Sequence, residues 1–161
     1  MYEKILESMI TYFGNDVRRI NHALKVWSFA RIIAENEKLN QFYKDVIDYT
    51  AILHDIGIKE AERKYKSNAG NYQEKEGPAI AKDILIKNGV DNATIERVCF
   101  IIGHHHTYSK IDAIDFQIIV EADFLVNIYE DDMKKEIVGK VKQNYFKTVT
   151  GLKLINTMYL E

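Results

Sequence analysis

The chain has 161 residues, 47% of them hydrophobic and 29% charged, enough for one domain with a full core and no staples. Lys and Arg total 22 against 24 acids, 12 and 12 up to position 80 and 10 and 12 beyond it, so no basic excess marks a nucleic-acid clamp or an anionic-membrane surface. Cys99 stands alone, which excludes an intrachain disulfide framework and a Cys-based zinc finger. Residues 2–13 place Ile5, Met9 and Tyr12 at helical spacing and stop at Gly14. Asn15 and Asp16 are capping types for a second helix over 16–38, where Val26, Phe29 and Ile33 form an apolar stripe. A third helix is predicted over 41–56, with Gly57 as its stop. The polar stretch 58–76 reads as a partly helical excursion or loop. Pro78 suits the first turn of the next helix, which ends at Asn88-Gly89. Asp91 or Asn92 caps a further helix whose core side carries Ile95, Val98, Ile101 and Ile102. A turn near 107–112 leads to a helix over 115–130, and two weaker helical patterns fill the tail. The expectation is one all-α domain over 1–161, with no repeat and no linker.

Several ionisable residues fall where this periodicity wants apolar ones. His22 lies four, seven and eleven residues before Val26, Phe29 and Ile33. His54 and Asp55 follow the run Tyr49-Thr50-Ala51-Ile52-Leu53. Asp123 has Ile119 and Val120 one turn behind and Val126 one turn ahead. An inward unpaired charge is costly. Taken singly, each residue is more simply a satisfied core group or a cap. Together, two imidazoles and two carboxylates from three helices form a ligand set for a divalent cation of the Mn, Fe, Co, Ni or Zn type. The cation would also hold the carboxylates ionised.

The ordered set His22, then His54-Asp55-Ile56-Gly57, then Asp123 within Glu121-Ala122-Asp123-Phe124-Leu125 resembles the HD-domain superfamily of metal-dependent phosphohydrolases. Residues 18–30, GPAIAKDIL and IERVCFIIGHHH are similar to its other helices, so the likeness covers about 15–130. It leaves 1–14 and 131–161 as peripheral helices. The resemblance implies a helical bundle with the metal in its centre, held by His22, His54, Asp55 and Asp123. It also gives Asp55 the task of orienting the attacking water.

Some relatives take a second metal through further histidines. Residues 56–103 contain none, so one cation per chain is the preferred count, with His104, His105 and Glu74 as the route to a second. Of the triple histidine, His104 is expected to face the pocket and His106 the solvent. Arg18 shares the face of His22, and Lys59 follows the His-Asp pair in a basic run. Both are candidates for the phosphoryl oxygens, although the run 59–66 also suits a solvated face paired with Glu60 and Glu62. Tyr65, Tyr72 and Tyr108 lie near these elements and could stack on a base, but ten tyrosines in a helical chain serve mostly as packing. The expected activity is hydrolysis of a phosphate monoester or nucleotide phosphoester by metal-activated water. The alternatives are a two-metal phosphodiesterase, a di-iron oxygenase of HD type, or a non-catalytic nucleotide- or metal-binding sensor. The partner is a small phosphorylated substrate such as a nucleotide, and the tail helices suit a homodimer face. A start charged from its third residue does not fit a secretory signal, and no apolar run reaches the ~18 residues of a membrane span, so a cytoplasmic location is expected.

Overall fold

The computed structural model describes residues 1–161, and it contains helices and turns but no strand. Nine α-helices follow in order: α1 (Tyr2–Phe13), α2 (Val17–Asn36), α3 (Gln41–Leu53), α4 (Ile58–Tyr65), α5 (Gly70–Lys87), α6 (Asn92–Ile102), α7 (Ile114–Glu130), α8 (Lys135–Tyr145) and α9 (Val149–Ile155). A 3-10 turn at Tyr108–Lys110 precedes α7, and a π-helical turn at Asn156–Leu160 ends the chain. The starts are set by capping side chains. Asp16 accepts from Arg19 N, Asn40 from Tyr43 N and Asp91 from Thr94 N, each satisfying an orphan donor worth about 1 kcal/mol.

Helix α7 is the centre of the bundle because its sequence is apolar nearly all round. Twelve of its seventeen residues are buried, and α2 and α3, which also pack on each other, both pack on it. Phe116, Ile118, Ile119 and Ala122 expose nothing. A fully buried aliphatic side chain contributes roughly 1.5–3 kcal/mol, and such contacts offset the polar groups carried on the same helices. Glu121 is one of those groups, fully buried yet satisfied. Its Oε1 accepts from Lys147 N and Thr148 N, and its Oε2 from the Thr148 hydroxyl. It therefore fixes the entry to α9 while its neighbour Asp123 faces the other way. No helix is long and apolar enough to cross a membrane.

Two boundaries differ from the periodicity. The pattern predicts a third helix to residue 56, but α3 stops at Leu53, and His54 to Gly57 form tight turns closed by Ile56 N to Leu53 O and Ile58 N to Asp55 O. Of the two readings of 58–76 the partly helical one holds, with α4 and the first turns of α5 occupying most of it, but Pro78 lies inside α5 rather than in its first turn. Proline there removes its own bond to the carbonyl four residues back and crowds that carbonyl with its ring, and tertiary packing holds the turns that propensity would not.

That packing explains the glycines. A Cβ on Gly57 would stand 2.5 Å from the Gln73 carbonyl oxygen and 2.7 Å from Gly77 N, both rigid backbone atoms. The turn carrying His54 and Asp55 thus rests directly on the backbone of α5. Gly57→Ala is expected to destabilise by about 1–3 kcal/mol through overpacking. For a chain of this length that lowers Tm by roughly 2–12 °C, readable by thermal denaturation. An unchanged Tm would mean that the close approach is not structural.

Candidate metal centre

His22 sits on the inner face of α2, His54 and Asp55 in the turn after α3, Asp123 on α7, and His105 in the turn after α6. Each imidazole is tied down at Nδ1. His22 Nδ1 lies 2.9 Å from Glu130 Oε2, His54 Nδ1 2.8 Å from Ala51 O, and His105 Nδ1 2.8 Å from Ile102 O. Those partners only accept, so Nδ1 carries the hydrogen in all three rings. In the neutral imidazole Nε2 is then a bare lone pair.

The three Nε2 atoms converge on two carboxylates. His22 Nε2 is 3.2 Å from Asp123 Oδ1 and 3.4 Å from Asp55 Oδ2. His54 Nε2 is 3.5 and 3.4 Å from the same oxygens and 3.3 Å from His22 Nε2. His105 Nε2 is 3.4 Å from Asp55 Oδ1. Lone pairs facing lone pairs repel unless a cation or protons lie between them. Asp123 Oδ1 and His105 Nε2 are buried without any hydrogen-bond partner, an expensive arrangement for a site that held nothing. Donors about 2.1 Å from one ion at tetrahedral angles lie about 3.4 Å apart. The spacing and the N/O donor set therefore fit a divalent transition metal.

Two groups of possible ligands emerge. His22, His54 and Asp123 form one; Asp55, His105 and His106 form the other. His106 is half-buried against Gly70, not facing solvent as the sequence suggests. Its Nε2 lies 3.1 Å from Gln73 Oε1, and the Gln73 amide nitrogen donates to Asn68 O. That orientation makes Gln73 Oε1 an acceptor, so His106 Nε2 donates and Nδ1 holds the lone pair. Burial, aided by His105, pushes the His106 pKa down to about 4, which keeps the ring neutral.

The structure leaves three expected residues outside these groups. His104 turns its Nδ1 to Phe100 O and packs its ring on Phe100, so it joins neither. Glu74 accepts from His106 N and from the Thr107 hydroxyl, bracing the turn rather than adding an oxygen ligand. Lys59 donates to Tyr12 O and lies over the Tyr12 ring, on the side of α1. The rest of its basic run pairs locally, Arg63 with Glu60 and Lys64 with Glu76. Arg18, by contrast, lines a 270 Å³ cavity that opens onto His22 and Asp55, and it makes no ion pair there. His105, expected only on the route to a second cation, faces Asp55 directly, and the residue the sequence reading does not single out is Glu130, seven residues after Asp123 on the same face of α7.

Without a cation the cluster keeps protons. Burial is the strongest influence on His22 and disfavours its charge, but Asp123 and Asp55 outweigh it and hold the pKa above 6.5. His54, completely buried, faces the same carboxylates and is also raised well above 6.5. Burial likewise works against ionised Asp55 and Asp123, and the imidazoles prevail, holding both below the usual carboxylate range. A raised imidazole pKa contributes stability that is full below the unfolded value of 6.5 and lost as pH rises through the folded value. The depressed carboxylates add nothing variable in that window, because their contribution falls away only below 3.8. Metal-free protein is therefore expected to lose thermal stability as pH is raised from 6.5. Cation affinity should rise over the same range as protons cease to compete. Melting curves across pH, with and without a chelator, check both signs. A metal-free Tm that climbs with pH would contradict the proton-holding cluster.

The profile of the HD domain family matches residues 19–141 of this chain. No curated protein and no solved structure matches it.

Proposed function

Because the chain belongs to the HD-domain family, we propose that it is a metal-dependent phosphohydrolase cleaving a phosphate monoester or a nucleotide phosphoester. The observation that carries this reading is the set of three imidazole Nε2 atoms, each fixed from behind at Nδ1, converging on Asp55 and Asp123. His22, His54, Asp55 and Asp123 would hold the cation. A divalent cation there supplies acidified water as a nucleophile and neutralises phosphoryl oxygens.

The chain's own side chains supply the remaining needs. Arg18, unpaired in the cavity, is available to the equatorial phosphoryl oxygens, where charge spreads during in-line displacement. Asp55 points one oxygen at His22 and His54 and the other at His105, so it can orient water while its first oxygen is engaged. Glu130 holds the His22 ring, and the carbonyls of Ala51 and Ile102 hold the other two.

One observation favours a two-cation reading as the alternative. Asp55, His105 and His106 group beside the first set, and His106 is held neutral with its Nδ1 free. A non-catalytic sensor would bind without turnover. The test is elemental analysis of purified protein together with a hydrolysis panel of p-nitrophenyl phosphate, nucleotides and other phosphoesters under Mn, Fe, Co, Ni and Zn. One cation per chain with turnover supports the first reading, and two cations with turnover the alternative. Cation binding with no hydrolysis of any ester would overturn both in favour of the sensor.

A further inference from the structure

The cavity beside the metal centre is small and polar. At 270 Å³ it lies below the ~300–1,000 Å³ typical of sites for drug-sized ligands. Of its ten lining residues only Ile58 is hydrophobic, and none is Phe, Tyr or Trp. A nucleobase needs an aromatic or apolar face to leave water, and base stacking is the usual source of affinity for it. The lining offers only the edge of Ile58 and the His22 ring, which Glu130 and the two aspartates already engage.

The aromatic residues that could have served are engaged elsewhere. Tyr65 and Tyr72 stack on each other, with centroids 4.2 Å apart and planes within 12°. Tyr108 packs on Phe124 and Tyr145, 5.5 and 4.6 Å away. None of these rings lines the cavity.

What the lining does offer is hydrogen bonding to hydroxyl groups. Asn68 and Asn127 present amides, and Asp131 presents a carboxylate in no ion pair. The remaining charges are already committed. Arg19 is held by Asp16 and Glu62, and Glu130 by His22 and Lys25. Arg18 is the one cation left over, which matches one phosphate. A second or third phosphate would meet the carboxylates of Asp16, Glu130 and Asp131 instead.

We infer that the substrate is the phosphate monoester of a small polyhydroxylated alcohol, a sugar or polyol phosphate, rather than a nucleotide. This rests on the phosphohydrolase reading above and narrows it. Arg18 takes the phosphate, while Asn68, Asn127 and Asp131 take the hydroxyl groups. The water oxygen forms its bond to phosphorus as the bond from phosphorus to the polyol oxygen breaks, and a proton from the water ends on the departing hydroxyl. The products are the free polyol and inorganic phosphate, so no redox partner is required.

Ribose 5-phosphate and adenosine 5′-monophosphate make the deciding pair, because they share the ribosyl phosphate and differ by the base. With the cation-loaded protein, kcat/KM is expected to be about tenfold or more higher for ribose 5-phosphate. Binding gives a second readout independent of turnover. Calorimetric titration with the two phosphonate analogues, in which carbon replaces the bridging oxygen, should rank them the same way. Asn127→Leu should shrink the preference for ribose 5-phosphate to less than about threefold, since it removes a hydroxyl partner and adds apolar surface. Equal or better turnover or binding of the adenosine compounds would overturn the inference while leaving the phosphohydrolase reading intact. Failure to hydrolyse p-nitrophenyl phosphate or any other ester, with every cation, would overturn that reading and this inference with it.

Discussion

Asp55→Ala is expected to strip the cation from the protein and to lower kcat/KM by about three orders of magnitude or more, corresponding to roughly 4 kcal/mol of transition-state stabilisation. The size follows from position. Asp55 is the one side chain that faces both groups of possible ligands, with Oδ2 3.4 Å from His22 Nε2 and His54 Nε2 and Oδ1 3.4 Å from His105 Nε2. Its loss leaves Asp123 as the one carboxylate facing the Nε2 atoms of His22 and His54, and leaves His105 Nε2 with none. The measurement is elemental analysis after dialysis, paired with steady-state kinetics under added cation. Asp55→Asn serves as a companion that preserves volume and one oxygen while removing the charge. It should retain the fold, so a matching far-UV spectrum separates loss of the site from loss of structure. Near-normal activity in either variant, with the cation still bound, would sink the assignment of Asp55.

How much of this was legible in the sequence depends on what kind of signal each part leaves. The helical class was legible, because periodic apolar residues such as Ile5 and Met9 in α1, or Ile95, Val98, Ile101 and Ile102 in α6, are buried as their spacing requires. The four polar residues His22, His54, Asp55 and Asp123 were legible because they interrupt apolar spacing together, although Glu121 and Asp115 interrupt α7 in the same way and are satisfied elsewhere. What the pattern does not carry is packing between elements. Turns of α5 before Pro78 persist because Gly57 and Gly77 let two backbones meet, and a local reading of proline cannot know that. The choice among His104, His105 and His106 is also tertiary. All three lie in one turn, and the difference lies in which carbonyl captures each Nδ1: Phe100 for His104, Ile102 for His105. Lys59 shows the reverse case. It is near Asp55 in sequence, but α4 carries it to Tyr12 on the far side, whereas Arg18, thirty-seven positions from Asp55, opens into the same cavity.

Glu130 makes the sharpest test of how the centre is tuned from behind. Its Oε2 accepts from His22 Nδ1 at 2.9 Å and its Oε1 from Lys25 Nζ at 2.8 Å. Burial opposes its charge, yet Lys25 and His22 hold its pKa below the usual carboxylate value. The ionised carboxylate fixes the Nδ1–H tautomer of His22, aims Nε2 at Asp123 and Asp55, and makes that nitrogen more basic. Removing such a partner typically costs 10–100-fold in metal affinity. Glu130→Ala is accordingly expected to weaken cation binding by about 10–100-fold, measured by competition with a chromophoric chelator. Glu130→Gln should fall between the two, because its amide oxygen still accepts from Nδ1 but carries no charge. Lys25→Ala should cost less than about threefold, since that lysine is nearly half exposed and its pair with Glu130 is screened by water. The order of the three variants separates orientation from charge. If Gln matches the native residue, the hydrogen bond suffices; if Gln falls with Ala, the negative charge is what His22 requires. Cation affinity in Glu130→Ala equal to that of the unmodified protein would show that His22 needs no support, and would remove Glu130 from the centre altogether.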